Sequence, residues 1–93
     1  MKLSWSDTAV ANTDAIYDYI AANSPMYARI VIQRIRDRMC AVLDNPYSGE
    51  VVPEYAIPQI RQVISGTYRI IYRVTADEIE VLGVLHGALR SPL

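Results

Sequence analysis

The chain has 93 residues, 52% of them hydrophobic and 20% charged, which is apolar surface enough for one core and too little length for a second; a disordered or low-complexity chain is excluded. Nine basic residues against ten acidic ones leave a net charge of −1, without the basic excess by which a dedicated nucleic-acid binder of this size neutralises phosphates. No apolar run approaches the roughly 18–20 residues that cross a bilayer, and the opening MKLSWSDT lacks the apolar core of a secretory signal, so the expected location is the cytoplasm, away from membranes.

Cys40 is the single cysteine. It can form neither an internal disulfide nor a thiolate cluster, and no metal or cofactor is expected. It falls in the middle of a helical segment without an activating group nearby in sequence, so an inert, at least half-buried thiol is expected.

In chain order, MKLSWS alternates, with Leu3 and Trp5 on one side and Lys2 and Ser4 on the other, as in a short strand. Ser6 or Asp7 then caps a first helix. Val10, Thr13, Ile16, Tyr17, Ile20 and Ala21 recur at helical spacing as its apolar stripe, and Asp7, Asn12, Asp14 and Asp18 lie off it. The helix should end near Asn23. Ser24-Pro25 restarts the chain as a second helix, with serine as N-cap and proline in the first turn. That helix should run to about Asp44, with Ala28, Val31, Ile32, Ile35, Met39, Val42 and Leu43 as its inner seam. The link is short, so the two helices form an antiparallel hairpin. Ile30 falls off the seam, where it can touch a partner.

Residues 45–58 contain Pro46, Gly49, Pro53 and Pro58 and read as a loop. Three strands follow: Ile60–Ser65, Thr67–Thr75 and Glu78–His86, joined by tight turns at Ser65-Gly66 and Ala76-Asp77 that make neighbours antiparallel. The order β-α-α-β-β-β predicts a single α+β domain over residues 1–93, a helical hairpin packed on a small twisted antiparallel sheet.

Period two places Tyr68, Ile70, Tyr72 and Val74 toward the helices, and Arg69, Ile71 and Arg73 away from them. In the last strand Glu80, Leu82, Val84 and His86 should share a face. Which face of the preceding strand, that of Arg61 or that of Gln62, joins the arginine side depends on register.

Lys2 is the only lysine, so the other eight basic residues are arginines, the side chain suited to planar, bidentate contacts. Four lie in the last third: Arg61, Arg69, Arg73 and Arg90, with His86 between the last two. No phosphate-cradling glycine loop, metal-ligand cluster or Ser/His/Asp spacing accompanies them. The default reading is structural. Arg69 and Arg73 would solvate an open sheet face, Arg61 would pair with Glu78 or Glu80 across strands, and Arg29, Arg34, Arg36 and Arg38 would be a solvated helix flank.

The run Ile60-Arg61-Gln62-Val63-Ile64, then Tyr68-Arg69-Ile70-Ile71-Tyr72-Arg73-Val74, then Val84-Leu85-His86 and Arg90 resembles the RelE/ParE superfamily of type II toxin–antitoxin toxins. So do Trp5, the stretch Asp14–Ala21, Ser24-Pro25 and Asn45-Pro46-Tyr47-Ser48-Gly49. The resemblance implies a cognate antitoxin that wraps the toxin as a hetero-oligomer, and growth inhibition by one of two routes. RelE-like members cleave mRNA on the ribosome, whereas ParE-like members poison DNA gyrase. RNA cleavage needs an acid, a base and cations around the phosphate. In the RelE-like branch lysines precede the Tyr-Arg motif and a tyrosine often closes the chain; this sequence has neither. A ribonuclease built here would rest on Arg69, His86 and Arg90, with Glu50 or Glu54 as the partner of His86.

The ParE-like branch, a gyrase-poisoning toxin without an enzymatic reaction of its own, is therefore the expected function. An mRNA interferase, or an inactive homologue that only binds antitoxin, is the alternative. Ile30, Arg61, Arg69, Arg73 and Arg90 are the expected contacts to antitoxin or target, and no sequence-specific contact to nucleic acid is expected.

Overall fold

The structure, a computed structural model, describes residues 1–87. Its elements are β1 (Lys2–Trp5), α1 (Asp7–Ala21), α2 (Pro25–Val42), β2 (Glu50–Val51), β3 (Ile60–Ser65), β4 (Tyr68–Val74) and β5 (Glu78–His86). The five strands form one sheet in the order β1-β5-β4-β3-β2, and the helical hairpin covers one face of it. Among the described residues no helix is long and apolar enough to cross a membrane.

Both helices start as their sequences require. The Ser6 hydroxyl accepts the Ala9 N–H at 3.0 Å, and the Ser24 hydroxyl accepts the Tyr27 N–H at 3.1 Å. Pro25 occupies the first turn of α2, where its missing N–H leaves no bond unmade. Ala28, Val31, Ile32, Ile35, Met39 and Val42 are the buried seam of α2. They meet Val63, Ile70, Tyr72, Val74, Ile79, Val81 and Val84 of the sheet in one core, with Leu3, Trp5, Ile16, Tyr17, Ile20, Leu43 and Tyr68 packed around it.

The sheet differs from the expected one in three ways. First, it is mixed. β2 to β5 pair antiparallel, but β1 runs parallel to β5, with Leu3 beside Ile79 and Trp5 beside Val81. The connection between them, the helical hairpin followed by β2 to β4, is amply long for the crossover that a parallel pair needs. Second, the proline-rich segment read as loop contributes β2, a two-residue edge strand with Glu50 beside Gln62 and Val51 beside Arg61.

Third, the last strand does not keep period two. Ile71 pairs with Gly83 and Tyr72 with Val81, so Leu82 is an extra residue, a β-bulge. The bulge turns Val81 and Val84 both into the core and leaves Glu80 on the open face beside Arg73. α1 satisfies the backbone groups that the bulge frees. The Ser6 hydroxyl donates to the Leu82 carbonyl at 3.1 Å, and Asn12 Oδ1 accepts the Val84 N–H at 3.0 Å. Asn12, expected off the stripe, thus faces the sheet, while Val10, expected on it, is exposed.

Candidate functional site

Register resolves the arginine set into two faces. Arg61 stands opposite Tyr72, on the helix side. Arg69 and Arg73 stand opposite Ile64 and Ile60, on the open side. The expected pairing of Arg61 with Glu78 or Glu80 does not form: Glu80 lies across β4 on the other face and binds Arg73, Nη2 to Oε1, at 2.8 Å. That pair is solvated and contributes only about 0–1 kcal/mol. His86 stands opposite Tyr68, ring edge to ring face with centroids 6.1 Å apart, and therefore on the helix side. Arg69 and His86, two of the three residues a ribonuclease would use, point to opposite faces. Arg90 lies outside the described residues.

The segment between α2 and β3 connects the two faces. Tyr72 is fully buried, and its hydroxyl donates to the Pro46 carbonyl at 2.9 Å and accepts the Gly49 N–H at 3.1 Å. Burial pushes the Tyr72 phenol above its ordinary value of 10.0, against the lowering effect of the Gly49 N–H. Gly49 has no room for a side chain, since a Cβ there would sit 2.5 Å from the Gln62 carbonyl oxygen and 2.6 Å from the Tyr72 hydroxyl.

Beside it, Arg61 donates from Nε to the Pro58 carbonyl at 2.7 Å and from Nη1 to the Gly49 carbonyl at 3.1 Å. Its guanidinium lies 5.0 Å from the centroid of the Tyr47 ring, within cation–π range. Residues 46–58 thus form a strap fixed at both ends on the helix side. The strap wraps the β3 edge and puts Val52, fully buried, and Glu54 toward the open face. There Glu54 Oε2 accepts from Arg69 Nη2 at 3.0 Å.

A second surface lies along α2. Tyr27, Val31 and Arg34 face Ser65–Tyr68 across a cavity of about 120 Å³. Arg38 faces Ser48–Glu50 and Gln62–Ile64 across one of about 310 Å³. β2 pairs only with Arg61 and Gln62, so among the described residues Val63–Ser65 has no strand neighbour on that side. Tyr27 is an exposed apolar side chain lining this groove, with Met26 and Ile30 exposed beside it on α2, while Ile64 is exposed on the open face of the sheet. Neither ion pair among the described residues includes an arginine of α2. Arg29 and Arg36 lie on the other flank of α2, around Tyr17. Cys40 is exposed, contrary to the half-buried position expected of it.

Of the expected contacts, Ile30 and Arg73 are therefore exposed, Arg69 is largely covered, and Arg61 is occupied inside the fold. Tyr27, Arg34 and Arg38 were not singled out as contacts. Their helical spacing placed them beside the seam, but only the position of β3 shows what they face. Among the described residues no group of three or more His, Cys, Asp or Glu could hold a metal ion.

The solved structure described as "Chromosomal ParDE TA system from P. aeruginosa" matches with a TM-score of 0.76 and 27% identity, covering 92% of this chain and 95% of that one. The family model for the ParE toxin of the type II toxin–antitoxin system parDE matches residues 3–89, and the chain belongs to that family. It is a ParE-like toxin, and its family implies a cognate antitoxin as partner. No curated protein matches it.

Proposed function

We propose that this toxin acts by poisoning DNA gyrase in the cytoplasm, without an enzymatic reaction of its own, and that its antitoxin neutralises it by lying along the α2–β3 groove. The observation that carries the non-enzymatic reading is the division of Arg69 from His86. A phosphate held by Arg69 on the open face is on the wrong side of the sheet for a proton carried by His86 on the helix side, and general acid–base transfer needs hydrogen-bond reach. Of the two candidate carboxylates, Glu54 is engaged by Arg69 itself, and Glu50 stands beside Gln62, opposite Ile71 on the open side.

The groove supports the antitoxin reading. It offers the exposed apolar side chain of Tyr27 with Ile30 beside it on α2, the guanidiniums of Arg34 and Arg38, and a strand edge that an extended segment can extend by backbone pairing. Arg73, on the open face and half exposed, remains a candidate contact for the target.

The test is a supercoiling assay with purified toxin freed of antitoxin. Inhibition of gyrase or accumulation of cleaved plasmid is expected, reversed by adding antitoxin. A folded toxin in stoichiometric excess that leaves gyrase untouched refutes the target. Ribosome-dependent cleavage of message in a cell-free translation reaction, abolished by Arg69→Ala, would establish the interferase in its place.

A further inference from the structure

We propose that residues 46–58 act as an intramolecular latch that withholds Arg69 from partners, and that Arg61 is the positioning residue that keeps the latch shut from the opposite face of the sheet. This goes beyond the toxin reading and does not depend on it.

Three observations carry the proposal. The first is how the strap is held: besides the short β2 ladder and the buried Val52, side chains on the helix side of the sheet fasten it near both ends. Arg61 binds the Gly49 and Pro58 carbonyls, at the two sides of the segment, and stacks on Tyr47. Tyr72 holds Pro46 and Gly49. Between these anchors Ala56 adopts φ +53°, a left-handed conformation that an alanine takes only when its surroundings impose it.

The second is what the strap delivers. It brings Glu54 to a guanidinium on the open face whose side chain is only 13% exposed.

The third is the quality of that cover. Arg69 donates to Glu54 from Nη2 without the two-pronged fork that arginine and carboxylate form at their best. Arg69 Nε is buried with no hydrogen-bond partner. A buried donor left unmade is a cost that a purely structural arginine would be expected to avoid. In Arg73, by contrast, the partner Glu80 sits on the neighbouring strand, and no segment has to move to free it.

On this assignment Arg61, which donates to two backbone carbonyls, serves the fold rather than a partner. Its effect on the other face is indirect, through the strap.

The experiment is arginine modification of the intact chain with phenylglyoxal, read by peptide mass, alongside amide hydrogen exchange. In the wild type Arg69 should react more slowly than Arg29 and Arg36. Glu54→Gln should speed Arg69 on the order of tenfold, the effect of losing one charge-assisted bond, while exchange at Val52 and Ala56 stays slow. Arg61→Lys should speed both the reaction of Arg69 and exchange at Val52 and Ala56, with helix amides unchanged. If Arg61→Lys also loosens the helices, Tyr72→Phe releases only the Pro46–Gly49 end and should give the same pattern more weakly. Arg69 reacting as fast as Arg29 in the wild type overturns the latch. Release by Glu54→Gln but not by Arg61→Lys or Tyr72→Phe overturns the role of Arg61.

Discussion

The Tyr72 hydroxyl donates to one strap carbonyl and accepts one strap N–H, so a single buried oxygen joins the core to the segment that covers the sheet edge. Tyr72→Phe keeps the ring and strands the buried Gly49 N–H. It should cost about 1–3 kcal/mol in chemical denaturation, with circular dichroism unchanged. Gly49→Ala should cost a similar ~1–3 kcal/mol, since the methyl meets backbone on one side and the phenol on the other. Tyr72 also sets an alkaline limit. Its phenol is raised by burial above 10.0, so the fold holds the proton that the unfolded chain releases. The contribution is fully present below pH 10 and is lost as pH rises toward the folded value. Stability of the wild type should therefore fall more steeply above pH 10 than that of Tyr72→Phe. Parallel slopes would mean that Tyr72 titrates alike in both states.

Among the elements, the junction of α1 with the bulged strand is the most instructive. Ser6 caps α1 and also donates to the bulged Leu82 carbonyl, whereas the Ser24 hydroxyl caps α2 and makes no second side-chain bond among the described residues. Loss of a serine cap costs about 0.5–2 kcal/mol. Ser6→Ala should sit at the upper end of that range and Ser24→Ala at the lower. Thermal unfolding of the two variants checks the order, and equal losses would show that the Leu82 bond adds nothing.

The same junction marks where sequence reasoning stops. Serine caps, the seam of α2, the hairpin and the three late strands follow from local pattern, because capping and amphipathic spacing are properties of neighbours in sequence. The bulge is different. Nothing in Glu78–His86 announces that Leu82 is extra, so Glu80 and Val84 look like residues of one face. Asn12 looks like a solvent residue until the Val84 N–H that needs it is in place. The pairing of β1 with β5, and the face of Arg61, are likewise set by register between distant segments. Tyr47-Ser48-Gly49 and Arg61 could be recognised as a motif, but their joint role as an anchor required knowing that β3 turns Arg61 toward the helices.

For the molecule as a whole, a net charge of −1 conceals an uneven surface. Acidic Glu54 and Glu80 are spent on Arg69 and Arg73, while Arg34 and Arg38 face the β3 edge without an ion pair among the described residues. A partner segment entering that groove meets positive charge above an apolar floor and an open backbone edge. Two charges on the rim of such a site act mainly on encounter, and the apolar anchors act mainly on residence. The double variant Arg34→Glu/Arg38→Glu should therefore slow antitoxin association on the order of tenfold or more at low salt, and the difference should shrink at ~0.5 M salt as the charges are screened. Tyr27→Ala should instead raise the dissociation rate. All three residues are outside the core, so thermal stability of the free toxin should change little. If charge reversal leaves association untouched while Arg73→Ala abolishes it, the antitoxin sits on the open sheet face instead, where it would compete directly with the strap for Arg69.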